Sequence, residues 1–421
     1  MPKNVIYAQA GGVTAVINVS AYGVFQTIKQ HPDTFGKTYA AINGIAGVLQ
    51  EDLIDIDALS DEELTKLKHL PGAAFESCRF DLESLASNPE QYQRVLSVFK
   101  AYDIGYFFYN GGNGSMVTAQ KVADYCTQRG HAVICIGVAK TIDNDLALSH
   151  CSPGFASAAK YIAASLAQAS LDIRSMYQTS TKFLIMETMG RNTGWLALAG
   201  GLVKEILPET PLIVLPAESV FNQANFIKQV QQMIVDEGYC ICVVSEGIKN
   251  ADGDHVCYAN IEHTPEKDYY QLGGVGAYLS QVIANELAIK THAITPDYLQ
   301  RSATHLVSKV DWEMAYQAGV ASVEAAVKGQ HGTLPIIKQT NTNPFTWQFQ
   351  SISLTKVANM DKIVPNHFIN TTDNSITQAA INYLMPLIQG EVSIPFKNGL
   401  PDLKPLINTP IKRKLLTFRT F

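Results

Sequence analysis

Short, almost entirely apolar segments recur along this chain and alternate with longer stretches of helical periodicity. The clearest of these predicted strands are residues 4–8, 104–109, 132–138, 183–187, 212–215 and 239–245. Their apolar character is nearly continuous, which indicates strands buried on both faces of a parallel sheet that helices cover. The chain is therefore predicted to be an α/β protein.

The length of 421 residues favours two or three domains. With 32 Lys and Arg against 38 Asp and Glu, the net charge is −6. Such a chain has no basic excess with which to neutralise a nucleic-acid backbone or an anionic membrane, so we expect neither as a partner.

The cysteines and the N-terminus bear on the compartment. The chain has 7 cysteines, an odd number without a CxxC pair, which fits reduced thiols better than a disulfide framework or a zinc site. We see no secretory leader and no apolar run near the ~18 residues of a membrane span. We therefore expect a soluble, cytoplasmic protein.

Glycine-rich or polar loops follow several predicted strands, as in AGGVTAVIN, NGGNGSM, METMGRNTG and SEGI. In open parallel sheets, ligands bind just past the carboxyl ends of the strands, so these loops are where we expect the chemistry. NGGNGSM precedes a helical run, and its amides are suited to binding an anion at a helix N-terminus. Gly11 and Gly12 allow a similarly close approach. Neither loop matches the P-loop or the dinucleotide fingerprint, and each also fits a tight strand-to-helix turn.

The segment GVAKTIDNDL gathers Lys140, Thr141, Asp143 and Asp145 directly after an apolar strand. Acids at positions i and i+2 project to the same side of an extended segment, and a nearby lysine stabilises them. This suits a site that holds Mg²⁺ and deprotonates a hydroxyl. The same residue types also favour an Asx turn with helix caps, so the segment alone leaves both interpretations open.

Arginine and histidine positions are less specific on their own. Arg191, just past a strand end, is placed to reach a phosphoryl group, although a surface salt bridge is an equal explanation. Arg79, Glu246 and Arg301 are each compatible with a structural role. The chain has no HxxxH or HExxH spacing, so the metal we predict is Mg²⁺ and not zinc.

Taken in chain order, AGGVTAVIN, GIAGVL, NGGNGSM, AKTIDND, METMGRNTGWLA, SEGI and PDYLQRS resemble the phosphofructokinase family across most of the chain. The resemblance implies two Rossmann-like α/β domains with mostly parallel sheets and an active site in the cleft between them. It also implies a glycolytic kinase that phosphorylates the 1-hydroxyl of fructose 6-phosphate. Residues 1–154 with about 303–352 would form the donor and Mg²⁺ domain, and residues 155–302 with about 353–421 the sugar domain.

The resemblance also implies site residues. Asp143 would be the base, assisted in catalysis by Lys140 and Arg191, while Tyr298 and Arg301 would hold the 6-phosphate. Lys182 aligns with a basic residue that family members contribute across a subunit interface, which implies a homodimer or a larger homo-oligomer. The substrate-binding set is Thr141, Asp143, Lys182, Met189, Gly190, Arg191, Glu246, Tyr298 and Arg301.

The family divides between ATP and inorganic diphosphate as the donor, and two positions bear on the choice. Lys140 is the residue of the diphosphate-dependent branch, whereas Gly114 is the residue of the ATP-dependent branch. We give Lys140 more weight, because it adds bulk and charge where a donor phosphate must lie, whereas glycine only fails to exclude a nucleotide. Diphosphate would then be bound by Gly12, Arg79, Gly114, Ser115 and Lys140.

Asn113 departs from the family's usual aspartate, so Mg²⁺ would be held by Asn113, Asp145 and the oxygens of the donor. Three alternatives remain open. Gly114 favours an ATP-dependent 6-phosphofructokinase, and Asn113 favours a catalytically silent regulatory subunit that binds sugar phosphate. A dinucleotide oxidoreductase is the weakest alternative, because the glycine loops lack its fingerprint.

Overall fold

The computed structural model describes residues 2–258, 272–358, 360–406 and 409–418. The chain forms two compact units. The first unit comprises Met1–Phe155, Ser302–Asp361 and Gly390–Phe421, and the second comprises Ala156–Arg301 and Lys362–Gln389.

The strands of both units are numbered in chain order. They are β1 (Lys3–Gln9), β2 (Phe35–Ala41), β3 (Leu53–Asp55), β4 (Ile104–Gly111), β5 (Ile134–Ala139), β6 (Phe183–Thr188), β7 (Leu212–Leu215), β8 (Cys240–Ser245), β9 (Thr291–Ile294), β10 (Thr333–Asn341), β11 (Thr346–Ser353), β12 (Ile369–Asn370), β13 (Ser375–Ile376), β14 (Phe396–Lys397) and β15 (Leu400–Pro401). Each of the predicted strands is present, with ends that differ by a few residues at most.

The helices are numbered in the same way. They are α1 (Ile17–Lys29), α2 (Gly44–Gln50), α3 (Asp61–Lys66), α4 (Pro89–Ala101), α5 (Asn113–Gln128), α6 (Phe155–Met176), α7 (Trp195–Gly200), α8 (Val203–Ile206), α9 (Gln223–Glu237), α10 (Val275–Leu287), α11 (Leu299–Ser302), α12 (Lys309–Val327) and α13 (Gln378–Leu384). Several begin at local capping signals. The Asn88 side chain accepts from the Gln91 amide at the start of α4, and the Ser308 hydroxyl accepts from the Asp311 amide at the start of α12.

The first unit is built on a sheet of order β11-β10-β5-β4-β1-β2-β3 among the residues described. Its central strands β5, β4, β1 and β2 are parallel, whereas β3 and β11 join the edges antiparallel. Helices α1 and α12 pack closely together, because Gly23 and Gly319 leave each backbone free to approach the other. Tyr7, Phe25 and Phe75 pack edge to face beneath this pair.

The second unit contains a parallel sheet of order β7-β8-β6-β9 in the part of the chain described. Every residue of β6, β7 and β8 is buried, as the continuous apolar runs predict for strands covered on both faces. The α/β class with mostly parallel sheets is thus confirmed.

The last part of the chain differs from the predicted domain boundaries. Residues 353–361 and the described residues from 390 onward belong to the first unit, although we predicted the whole of 353–421 in the second. The Ile411 amide donates to the Leu53 carbonyl at 2.8 Å, and the Arg413 guanidinium pairs with the Asp52 carboxylate. Apolar side chains of the tail also pack against the core of the first unit. Through these contacts, the described part of the tail packs against the first unit, whose sheet also contains the N-terminal strand β1.

Candidate active site

The loops that follow β1, β4 and β5 lie side by side at the carboxyl edge of the first sheet. They meet because β4 pairs with β1 on one side and with β5 on the other. Backbone hydrogen bonds continue this pairing into the loops, from the Ala10 amide to the Asn110 carbonyl at 2.8 Å and from the Lys140 amide to the Gly111 carbonyl at 3.0 Å. The pairing of these strands therefore brings together the three loops that are predicted to bind the phosphoryl donor.

Lys140 is buried at this edge, with only 2% of its surface exposed. Its ammonium group donates to the Ala10 carbonyl at 2.9 Å and to the Gly12 carbonyl. A buried ammonium requires such acceptors, because desolvation without hydrogen bonds is costly. The structure thus fixes a positive charge beneath the first glycine loop, next to Gly12.

Ser115 and Lys140 converge on Gly11, which has a φ of 74°. A Cβ atom at Gly11 would lie 3.6 Å from the Lys140 ammonium nitrogen and 3.9 Å from the Ser115 hydroxyl oxygen. Ser115 lies in the first turn of α5, where backbone amides favour an anion. Gly114, beside it, is exposed, and a Cβ there would meet no described atom within 4 Å.

The loop that carries Arg79 is tied to the same glycine loop. The Gly11 amide donates to the Cys78 carbonyl at 3.0 Å, and the Ser77 hydroxyl donates to the Gly11 carbonyl at 2.7 Å. Arg79 follows directly and is exposed. Its backbone is therefore placed beside Gly11, with the side chain open to solvent.

The segment after Lys140 forms a tight turn held by Thr141 and Asn144. The Asp143 amide donates to the Thr141 hydroxyl at 3.1 Å, and the Asn144 side-chain oxygen accepts from the Ser152 amide at 3.1 Å. Asn144 adopts a left-handed conformation with a φ of 53°, which asparagine tolerates better than most residues. The turn chemistry that the sequence suggested is therefore present, and it presents Asp143 and Asp145 on either side of Asn144.

Asp145 has the properties of a cation ligand. Its Oδ1 atom is buried and has no hydrogen-bond partner among the residues described. Burial raises the pKa of this carboxyl; the Thr141 hydroxyl acts against that rise, and the charge of Asp361 adds to it. Hard divalent cations prefer oxygen ligands of this kind, so the residues present fit the metal that the site implies. The described residues contain no group of three or more His, Cys, Asp or Glu that could hold a metal.

Asp361 joins this site and was not found from the sequence. Its Oδ1 atom accepts from the Asn113 amide group at 3.0 Å, and the same amide group donates to the Met360 carbonyl at 3.1 Å. The two side chains are 248 positions apart in the chain, and no local motif marks such a contact.

In the second unit, Met189, Gly190, Arg191 and Glu246 lie at the carboxyl ends of β6 and β8, which pair with each other. The Gly190 amide donates to the Glu246 carboxylate at 3.3 Å, and the Ser245 hydroxyl donates to the Gly190 carbonyl at 2.7 Å. Gly190 has a φ of 132°, and a Cβ there would collide with the Thr193 carbonyl oxygen. Only glycine fits this turn without strain.

Burial raises the pKa of Glu246 to about 7. The Gly190 amide opposes this shift, Glu187 adds to it, and Arg191 lowers the pKa through its charge. Arg191 and Glu246 are therefore close enough to interact electrostatically. A carboxyl with a pKa near neutrality can change its hydrogen-bonding role within the working pH range.

Tyr298 and Arg301 form a stacked pair after β9. The Arg301 guanidinium carbon lies 4.1 Å from the centroid of the Tyr298 ring, and Tyr298 is 64% exposed. Between them, the Gln300 side chain accepts from the Met189 amide at 3.1 Å. This bond links the predicted phosphate-binding pair to the Met189–Arg191 turn within one unit.

Lys182 is not brought to this edge. It precedes β6, where its amide donates to the Lys290 carbonyl at 3.0 Å and its carbonyl accepts from the Cys240 amide at 2.8 Å. Since β6, β8 and β9 are parallel, this position is at the amino edge of the sheet. The other predicted sugar-binding residues of the second unit lie at the opposite edge.

Over the residues searched, no helix is long and apolar enough to span a membrane.

Glycine turns, a helix N-terminus and basic side chains at the strand ends of an α/β fold suit an anionic ligand, and comparison with known proteins identifies the class. A sequence profile of the phosphofructokinase family matches residues 4–326. The chain belongs to the phosphofructokinase family, which confirms the resemblance read from its motifs. Enzymes of this family transfer a phosphoryl group and generally need a divalent metal.

Full-length relatives carry one activity in their names. The pyrophosphate–fructose 6-phosphate 1-phosphotransferase of Methylococcus capsulatus is 45% identical over 416 residues, 98% of each chain. The protein of the same name from Halomonas elongata is 44% identical over 416 residues, 99% of each chain. The crystal structure of a pyrophosphate-dependent phosphofructokinase from Nitrosospira multiformis superposes with a TM-score of 0.91 at 42% identity and covers 100% of both chains. The phosphofructokinase fold is thereby confirmed.

Proposed function

We infer that this protein is a diphosphate-dependent 6-phosphofructokinase. It transfers a phosphoryl group reversibly from inorganic diphosphate to the 1-hydroxyl of fructose 6-phosphate, which gives fructose 1,6-bisphosphate and phosphate. The observation that carries the choice of donor is the buried ammonium group of Lys140, held against the carbonyls of Ala10 and Gly12. The names of the full-length relatives support the same choice.

The first unit is proposed to bind diphosphate. Lys140 supplies a fixed positive charge, and the first turn of α5 supplies the Ser115 hydroxyl and backbone amides. Gly12 and Gly114 let the donor approach the backbone, and Arg79 is exposed beside the first glycine loop. These groups match a compact, highly charged anion.

The metal is proposed to be Mg²⁺, held by Asp145 and Asn113. When bound, Mg²⁺ neutralises charge on the oxygens of the donor. Asp145 is the stronger ligand of the two, because its buried Oδ1 has no hydrogen-bond partner among the described residues. The Asn113 amide group is turned toward Asp361 and Met360.

The second unit is proposed to bind fructose 6-phosphate. The stacked Tyr298 and Arg301 hold the 6-phosphate, because a guanidinium group recognises phosphate through a planar set of donors. Glu246 accepts hydrogen bonds from sugar hydroxyls in its ionised form. Met189 and Gly190 shape the turn beside it.

Asp143 is proposed to accept the proton of the sugar 1-hydroxyl as this oxygen attacks the diphosphate, with Thr141 contacting the reacting groups. The bond from the transferred phosphorus to the bridging oxygen breaks, and orthophosphate leaves. Lys140 and Arg191 stabilise the charge that develops. In the reverse direction Asp143 returns the proton, since the same transition state serves both directions.

Two further assignments complete the proposal. We propose that Lys182 acts in a homodimer or larger homo-oligomer, which agrees with its place at the amino edge of the second sheet. A cytoplasmic location is supported by the cysteines, of which Cys126, Cys135, Cys151, Cys240 and Cys242 are buried as free thiols.

The donor is tested by the initial rate of fructose 1,6-bisphosphate formation with Mg²⁺ and either diphosphate or ATP as the sole donor. We expect a rate with diphosphate at least about 100-fold above that with ATP. ATP use is the second candidate, because the exposed Gly114 leaves open space beside the loop. Preference for ATP would overturn the role of Lys140, and fructose 6-phosphate binding without turnover would favour a regulatory subunit.

A further inference from the structure

Asp361 is anchored to both segments that we assign to the metal. Its backbone forms an isolated antiparallel bridge with Leu146, the residue after Asp145. Its side chain accepts from Asn113, the first residue of α5. The backbone and the side chain of Asp361 therefore fix its carboxylate between the TIDND turn and the start of α5. All of these residues belong to the first unit.

The Asp361 and Asp145 carboxylates belong to neighbouring backbone segments, because Asp361 bridges the residue that follows Asp145. The Oδ1 atom of Asp145 is also buried without a hydrogen-bond partner among the described residues. Two neighbouring carboxylates, one with a buried oxygen that accepts no hydrogen bond from a described residue, form an arrangement that a cation stabilises.

We propose that Asp361 is the second carboxylate of the divalent cation site and supplies the charge that Asn113 does not. Mg²⁺ needs only one or two protein carboxylates, because waters and donor phosphates complete its octahedral shell. The inference rests on the proposed function, since the cation is the one that accompanies diphosphate. Asn113 then acts as a positioning residue that holds the Asp361 carboxylate.

The test measures the direct binding of Mn²⁺ to the full chain without substrates. Binding is monitored through the electron paramagnetic resonance signal of the free ion. Asp361→Asn removes the charge at nearly constant size, and we expect affinity to fall by about 10-fold or more. The matched control is Asp33→Asn, at an exposed position before β2, which should bind Mn²⁺ as the unmodified protein does. Unchanged affinity in Asp361→Asn would overturn the proposal.

A charge exchange separates a ligand role from a structural one. In the double variant Asn113→Asp with Asp361→Asn, the amide–carboxylate pair is kept with its ends reversed and the number of carboxylates is unchanged. We expect Mn²⁺ affinity to return to within about 3-fold of the unmodified protein, because a carboxylate again lies in the site. Lost affinity in both variants, together with lower melting temperatures, would mean that Asp361 only supports the fold, and would overturn the proposal.

The outcome is independent of the donor assignment. Mn²⁺ binding that depends on Asp361 would support the site even if the rate assay showed no use of diphosphate. Conversely, rapid turnover with diphosphate and unaltered Mn²⁺ binding in Asp361→Asn would leave the proposed function intact and remove Asp361 from the metal site.

Discussion

The carboxyl edges of the two sheets differ in how deeply their basic side chains are buried. At the first, Lys140 is 2% exposed and its ammonium group is held by the Ala10 and Gly12 carbonyls. At the second, the guanidinium of Arg301 stacks on Tyr298, a residue that is 64% exposed. A buried, preorganised charge suits the small donor and its transition state, whereas a half-buried arginine stacked on an exposed tyrosine suits capture of a sugar phosphate from solvent. Removing charge from the first edge should therefore affect turnover, and removing it from the second should affect binding.

The largest expected effect is at Asp143. Asp143→Asn keeps the shape of the turn but removes the proton acceptor, so we expect kcat to fall by roughly 1,000-fold or more. Binding of fructose 6-phosphate, measured by calorimetry, should change by less than about 3-fold, because the 6-phosphate and most of the sugar contacts are assigned to the other edge. The control is Asn144→Gly, which keeps the left-handed turn but removes the side-chain oxygen that accepts from the Ser152 amide, and it should lower the melting temperature. Near-normal kcat in Asp143→Asn would show that another group takes the proton.

A smaller effect on the kinetic constants is expected when one charged side chain is removed from each edge in turn. Lys140→Met should lower kcat/KM for diphosphate by about 100-fold, which corresponds to about 2.7 kcal/mol, with little change in KM for fructose 6-phosphate. Arg301→Ala should raise KM for fructose 6-phosphate by about 10-fold to 100-fold, with little change in KM for diphosphate. Steady-state kinetics with each substrate varied in turn measure both.

Two controls accompany that pair. Tyr298→Phe keeps the aromatic ring under Arg301, so KM for fructose 6-phosphate should rise by only a few-fold if the ring acts by stacking. Lys140→Arg keeps the charge but not the size, and should fail to restore normal turnover because the site is buried. Equal effects of Lys140→Met and Arg301→Ala on both KM values would contradict a division of labour between the edges.

The same two regions show what the sequence could predict. Strands β4 and β8 were found because their apolar runs are continuous, and the loops after them follow from the rule that ligands lie at carboxyl ends. None of the predicted strands lies between residues 329 and 370. The structure shows there the antiparallel pair β10 and β11, whose exposed residues are polar because this pair forms the sheet's edge.

Contacts between distant parts of the chain carried no local signal. Asp361 reaches Asn113 across 248 positions, and the tail reaches Glu51, whose buried carboxylate accepts from the Leu415 amide at 3.0 Å. Neither acid lies in a recognisable motif, since each partner is chosen by tertiary packing. The sequence thus predicted the residues next to strand ends and missed the acid brought to them from elsewhere.

The smallest effect tests whether the second edge also contains a titrating group. Because the pKa of Glu246 is raised from 4.5 to about 7, its ionised fraction grows between pH 6 and pH 8. If the ionised form accepts from the sugar, binding of fructose 6-phosphate should be weaker at pH 6 by up to about 10-fold.

The sugar's own phosphate titrates near pH 6, so Glu246→Gln provides the reference, since it retains only that contribution. Calorimetric titrations of both proteins over this pH range measure the difference. The free energy of unfolding should change in the opposite direction: because the carboxyl pKa is raised in the folded protein, stability falls as pH rises from about 4.5 to about 7, and Glu246→Gln should lack that component. Parallel pH profiles for the two proteins would mean that Glu246 does not titrate in contact with the sugar, and the second edge would then bind through Tyr298 and Arg301 without a pH-dependent contact.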